Sequence, residues 1–219
     1  MVSEEARSSG VGLGGRVRWG SETALVDDEE ARRRLVAAAQ RVLVARGTSR
    51  LTVDAVAKEA AVVRSTVYRY FGSRDELILG VVLSRVDNGM RRVLGMLEHP
   101  DDAARSVVDL LMHSIGLVAG DPLNEMMFSG ESRWLVTSLE LRSEAVADAF
   151  HLHLGPLLER WRAQGQLRAD LDLRETSRWM NTVALLLLGP PWATRPDEAK
   201  RDFVERYIVP GLLPHPGRG

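Results

Sequence analysis

Leu51 to Leu77 holds two short segments of helical spacing, a tight break between them, and the opening of a longer segment. Thr52 is a good N-cap, and Val53, Val56, Ala57 and Ala60 follow it on one face. The turn Ala61-Val62-Val63 leads into a next helix, from Arg64 to about Tyr70, which sends Val67 and Phe71 into the same small core. Ser73-Arg74-Asp75-Glu76 is a capping box that opens a long helix to about Leu97, stopped by His99-Pro100. Upstream, Asp27, Asp28, Glu29 and Glu30 place negative charge at the positive end of a first helix. Leu35, Ala39, Val42, Leu43 and Arg46 continue it at helical spacing until Gly47. A chain so patterned builds a small three-helix head on a long connecting helix.

The charge is unevenly placed. From Ala31 to Arg74, ten Arg and Lys side chains stand against Asp54 and Glu59 alone, a local balance of +8. The whole chain carries −1, which leaves −9 for everything else. A basic module on an acidic body is the electrostatic footprint of a DNA-binding head joined to a separate domain. The third short helix has the matching chemistry in Arg64, Ser65, Thr66, Tyr68, Arg69 and Tyr70. In a major groove, Arg64 and Arg69 can form bidentate bonds to guanine, while Ser65 and Thr66 donate to phosphate or touch a thymine methyl. Thr52, at a helix N-terminus, offers an amide and a hydroxyl to phosphate. Tyr68 and Tyr70 also read as packing residues of a small head, and Arg32, Arg33 and Arg34 read as a solvated face.

Thr52-Val53, Val56-Ala57, Ala60 and the run Thr66-Val67-Tyr68-Arg69-Tyr70-Phe71, followed by Ser73 to Leu77, together resemble the head of the tetracycline-repressor (TetR) family of bacterial transcriptional regulators. The likeness runs from Arg32 through Leu77. It implies an all-helical homodimer, a divergent C-terminal domain for ligand and dimer contacts, and an operator of partly palindromic double-stranded DNA. It further implies that Tyr68 and Tyr70 touch phosphate through their hydroxyls, that Arg74 binds the DNA backbone, and that ligand displaces the connecting helix. Two positions depart from the family's habit. Ala61 stands where such heads usually carry Gly, and Val63 replaces the usual Ser at the start of the reading helix.

Residues 1–26 read as a disordered leader, 27–74 as the head, 75–213 as a helical regulatory and dimerisation domain, and 214–219 as a tail. The expected fold class is therefore all-α. Gly10-Val-Gly-Leu-Gly-Gly15 matches a dinucleotide fingerprint, but neither strand nor βαβ unit surrounds it. Arg16 and Arg18 belong to a solvated tail or to a basic arm in a minor groove. In the body, Asp121-Pro122 and Asp172 to Glu175 open helices, and Leu139 to Gln164 shows one long amphipathic pattern. A last helix begins at Pro196-Asp197-Glu198.

Trp179, Val183, Leu187, Phe203, Tyr207 and Ile208 make these late helices more apolar than a lone domain needs, which suggests a dimer seam or a monomer core. Met112, His113, Met126, Met127, Phe128 and Trp134, joined by Trp179, Met180 and Asn181, are candidates to line a small-molecule pocket. The same stripe is what a plain helical core looks like. No cysteine is present, so no thiol or zinc knuckle exists, and no cofactor or metal site is expected. His151 and His153 point apart on a helix. The longest apolar run, Val183 to Leu188, is too short for a bilayer, so a cytoplasmic location is expected. No motif of hydrolase, kinase or zinc-protease chemistry occurs, which makes an all-helical enzyme the weaker reading. A repressor released by an apolar or amphipathic effector fits best; an activating or ligand-independent regulator is the alternative.

Overall fold

A computed structural model describes residues 22–128 and 130–214, and every regular element among them is helical. The Gly10–Gly15 motif, the Arg16 and Arg18 arm and residues 215–219 lie outside the described residues. Helix α1 spans Glu22–Arg46, so it begins ahead of the Asp27 boundary expected for a leader. A 3-10 turn at Thr48–Arg50 leads to α2 (Val53–Glu59) and α3 (Arg64–Tyr70). Thr52 caps α2 as its spacing predicts, its Oγ1 accepting the Ala55 amide at 3.1 Å. Leu35, Ala39, Leu43, Val56, Val67 and Phe71 close around one another as the head's core. Each large side chain among them, fully buried, contributes about 1.5–3 kcal/mol.

Helix α4 (Arg74–Gly95) leaves the head and runs into the body. Ser73 Oγ accepts the Glu76 amide at 3.1 Å, while Glu76 reaches back to the Gly72 amide at 2.8 Å. The long body is α5 (Ala103–Ala119), α6 (Pro122–Met127), α7 (Gly130–Arg142), α8 (Glu144–Ala163) and α9 (Leu173–Leu187). The amphipathic run predicted as one helix from Leu139 to Gln164 is divided at Ser143, whose hydroxyl caps α8 through the Val146 amide. Trp161 is completely buried, with its indole N–H donated to the Pro100 carbonyl at 2.8 Å. That bond fixes the end of the α4–α5 connection against α8.

The last segment also departs from one continuous helix. It is α10 (Asp197–Phe203), a π-helical turn (Val204–Ile208) and α11 (Val209–Leu212). The widened turn puts Tyr207 in solvent, 71% exposed, while Val204 and Ile208 point inward. Consequently the expected seam residues separate. Val183, Leu187 and Ile208 are buried within the chain itself and are core. Phe203 is half-buried, sandwiched between Trp192 and Tyr207 at 4.4 and 5.4 Å between ring centres. Trp179 is partly open on α9, beside exposed Leu186, and Leu152 is exposed on the neighbouring α8. No helix among the described residues is long and apolar enough to cross a membrane.

Candidate nucleic-acid interface and effector cavity

Helix α3 is anchored by Val67, which is wholly buried, and by Phe71 just beyond its end. With that face inward, Arg64, Ser65, Tyr68 and Arg69 are exposed, and Thr66 and Tyr70 are half-buried. The two arginines are not free in this state. Arg64 donates to Asp54 at 3.0 Å and to the Tyr68 hydroxyl at 2.9 Å. Arg69 pairs with Asp28 of α1 at 2.9 Å and also donates to the Tyr70 hydroxyl, which itself donates to Asp28 at 2.7 Å. The tyrosine hydrogen bonds push both guanidinium groups further above their ordinary pKa. These pairs are solvent-exposed and therefore weak enough to be exchanged.

Arg74, expected on the DNA backbone, is engaged within the head. Its Nε donates to the Leu51 carbonyl at 3.1 Å and its Nη2 to the Thr48 carbonyl at 2.6 Å, so the side chain braces the 3-10 turn. Arg32 is likewise more than a solvated charge. It lies over the Phe71 ring at 4.4 Å and donates to the Tyr70 carbonyl at 3.1 Å, gripping the C-terminal end of α3. Arg33 stays on the surface, paired with Glu30. Asp28, which holds two groups of α3, was legible only as a helix-start charge.

Two departures in the head have structural outcomes. Ala61 adopts the left-handed conformation, φ 55°, that the turn imposes. Val63 occupies the N-cap of α3 without any side-chain cap bond and is 66% exposed.

In the body, α4, α5, α7 and α9 surround a cavity of about 130 Å³. Phe128 and Asn181, both expected to line a pocket, do so. Met180 lines a much smaller void that shares Asn181 and Ser114 with it. Met112, His113, Met126, Met127, Trp134 and Trp179 do not border the cavity; Met127 is buried in core, and Trp134 is 75% exposed. The cavity instead exposes a group that the sequence reading passed over. Glu140 is only 9% exposed, and no described residue hydrogen-bonds to it. Burial pushes its carboxyl up to about 8. Ser132, Val136 and Glu140 fall four apart and are all buried, so helical spacing alone put this carboxyl on the inner stripe of α7.

Arg85 ties the cavity wall together. It donates to Asn124 Oδ1 at 3.1 Å and pairs with Asp121 at 2.9 Å, bridging α4 to α6. At the other end of α7, the Ser132 and Thr48 hydroxyls meet at 2.6 Å in a buried contact, so the body touches the head's 3-10 turn. Among the described residues, no group of three His, Asp or Glu side chains is placed to hold a metal.

An exposed polar helix behind a tight turn, on a basic three-helix head carried by a helical body, defines a helix-turn-helix protein of two parts. Residues 35–81 match the family model described as bacterial regulatory proteins, tetR family. That match lies within the helix-turn-helix head, from α1 into α4. It is similar to the HTH-type transcriptional regulator EthR of Mycolicibacterium smegmatis, 33% identical over 94 residues, which are 41% of this chain and 42% of EthR. The alignment thus spans less than half of that relative. The fold matches the transcriptional repressor QsdR of R. erythropolis at a TM-score of 0.64 and 17% identity, over 85% of this chain and 97% of QsdR. It also matches RolR, solved in complex with resorcinol, at a TM-score of 0.59 and 18% identity, over 86% and 90% of the two chains.

Proposed function

We propose that the protein is a homodimeric transcriptional regulator that reads a partly palindromic operator and is released from it by a small molecule held in the body. The observation that carries the reading is the outward presentation of Arg64, Ser65, Tyr68 and Arg69 by a helix whose other face is locked into the head. Arg64 and Arg69 read guanine after leaving Asp54 and Asp28, and the Tyr68 and Tyr70 hydroxyls, with Thr52, hold phosphate. Two heads of a dimer address successive major grooves, about 34–36 Å apart. Exposed Leu152, Trp179 and Leu186 on α8 and α9 support a paired surface there, in place of the buried residues of the same helices.

Release follows from connections already described. The cavity wall includes α4, whose first residues belong to the head, and α7, whose Ser132 touches the head's turn. A ligand that moves either helix changes the spacing of the heads, and operator and ligand then oppose each other through one equilibrium. That QsdR is a repressor and RolR a resorcinol binder supports this sign and this kind of effector. Selection of duplexes from a random library, with footprinting and light scattering on the winner, tests the core of the proposal. An inverted repeat occupied by a dimer is expected. No preference over random competitor DNA, or occupancy by a monomer, overturns it.

A further inference from the structure

A carboxyl buried without a partner is expensive unless something completes it. Glu140 has no hydrogen-bond partner among the described residues, is nine-tenths buried, and forms part of the wall of an otherwise largely apolar cavity. Asn181, 8% exposed on the facing α9, likewise has no described partner for its amide and lines the same space. Two buried polar side chains from α7 and α9, both lining an apolar hollow and neither hydrogen-bonded to a described residue, are what a bound molecule with one polar end would engage.

The surroundings limit the charge of that molecule. Among the described residues, only Arg85 and Arg92, both from α4, are charged side chains on the wall besides Glu140; α5, α6, α8 and α9 contribute neutral ones. Arg85 is already neutralised by Asp121. A cation would enter beside two guanidinium groups and require the carboxyl to ionise out of water. An anion would have to give up its water for a largely apolar hollow. An uncharged donor–acceptor group meets neither obstacle, because a protonated carboxyl and an amide each donate and accept. The volume, about 130 Å³, is close to the roughly 150 Å³ apolar cavity that admits benzene.

We propose that Glu140 is the polar anchor of the effector cavity, which takes a compact, uncharged ring compound carrying a hydroxyl or amide group. The hydroxyl of such a ligand donates to one of Glu140 and Asn181 and accepts from the other, while Val86, Met90, Phe128 and Phe150 cover its ring. Ser132 lies eight residues before Glu140 on the same stripe of α7, about 12 Å along the helix. Ligand at one end of that stripe therefore bears on the head contact at the other. This inference rests on the regulatory reading above for its biological meaning, but not for the binding itself.

Calorimetric titration of phenol, benzylamine and benzoate into the full-length protein and its Glu140→Gln and Glu140→Leu variants tests it, with thermal unfolding as a check that each is folded. Wild type should bind phenol in preference to the two charged probes. Glu140→Gln should keep phenol affinity within about threefold, and Glu140→Leu should lose roughly tenfold, as expected for one buried hydrogen bond. Equal phenol affinity in wild type and Glu140→Leu, preference for either charged probe, or no phenol binding at millimolar concentration overturns the assignment. Operator affinity measured with phenol present separates the two readings. Phenol bound through Glu140 without any change in operator affinity sustains the anchor and defeats the release mechanism.

Discussion

The hydroxyls of Thr48 and Ser132 meet at 2.6 Å, buried between the head's 3-10 turn and the first turn of α7. The Ser132 hydroxyl lies 3.8 Å from the Met126 sulfur as well, so the contact sits in a tight corner shared with α6. Thr48→Val and Ser132→Ala should each cost about 1–2 kcal/mol, because each strands a buried hydroxyl. The double variant should lose less than the sum, with about 0.5–1.5 kcal/mol of coupling recovered. Denaturant melts of the four proteins measure this; strict additivity would deny the bond.

Arg74 should behave as a brace and not as a phosphate clamp. Arg74→Ala removes its bonds to the Thr48 and Leu51 carbonyls and should lower head stability by about 1–3 kcal/mol. Its effect on the salt dependence of DNA binding should be small. Arg64→Ala and Arg69→Ala should show the opposite pattern, with little change in melting but about 1–3 kcal/mol lost at particular base pairs. Titrations over operator variants at several salt concentrations distinguish the two outcomes. A salt slope reduced by one unit in Arg74→Ala would return it to the DNA backbone.

Ala61→Gly should stabilise the head. A Cβ in the left-handed region costs about 1–2 kcal/mol, partly offset by the larger entropy that glycine loses on folding. A net gain of about 1 kcal/mol, read as a raised denaturant midpoint with unchanged slope, is expected.

Gly80 and Gly89 sit on the same helix and should respond oppositely to alanine. A Cβ at Gly80 would stand 2.8 Å from the Phe71 ring, forcing a shift in the head core that costs about 1–3 kcal/mol. A Cβ at Gly89 meets nothing within 4 Å and extends into the cavity, so helix propensity should dominate with a gain near 1 kcal/mol. Thermal unfolding of both variants decides it.

Stability should fall as pH rises wherever native Glu140 holds a proton that the unfolded chain has released. With the carboxyl raised from 4.5 to about 8, that window lies between those values. The slope there is about 1.4 kcal/mol per pH unit, so the stability at stake is intact below the lower value and lost above the upper. Glu140→Gln should flatten this decline relative to wild type. Identical profiles for the two proteins would show that the carboxyl titrates normally.

The head was readable because its signals are local. Thr52 and Ser73 act within a few residues of themselves as caps, the helical spacing of Val67 and Phe71 is itself a local signal, and the structure puts each where the pattern does. The body was less so, because burial depends on what covers a helix. Val183 and Leu187 looked alike with Trp179 in sequence, yet α9 turns the first two inward and leaves the third at the surface. The division at Ser143 left a weak trace, since a serine inside an amphipathic run is also ordinary helix. Tyr207 left the common face through a π-helical turn that no side-chain pattern announces. Arg74 and Asp28 were charges whose partners lie 23 or more residues away, and only the folded chain names them.

Asp28 gives the proposed reading helix a threshold. Its carboxylate occupies Arg69 and Tyr70 at once, at an exposed site where such a bond is weak. A guanine offering two acceptors in line is worth about 1–3 kcal/mol and outbids it, whereas a mismatched base edge offers less and does not. On the proposed reading, Arg69 stays parked on wrong sequence while the rest of the head slides along the phosphates. Search and recognition would then be separate states of one side chain, with an acidic residue of the protein standing in for the base.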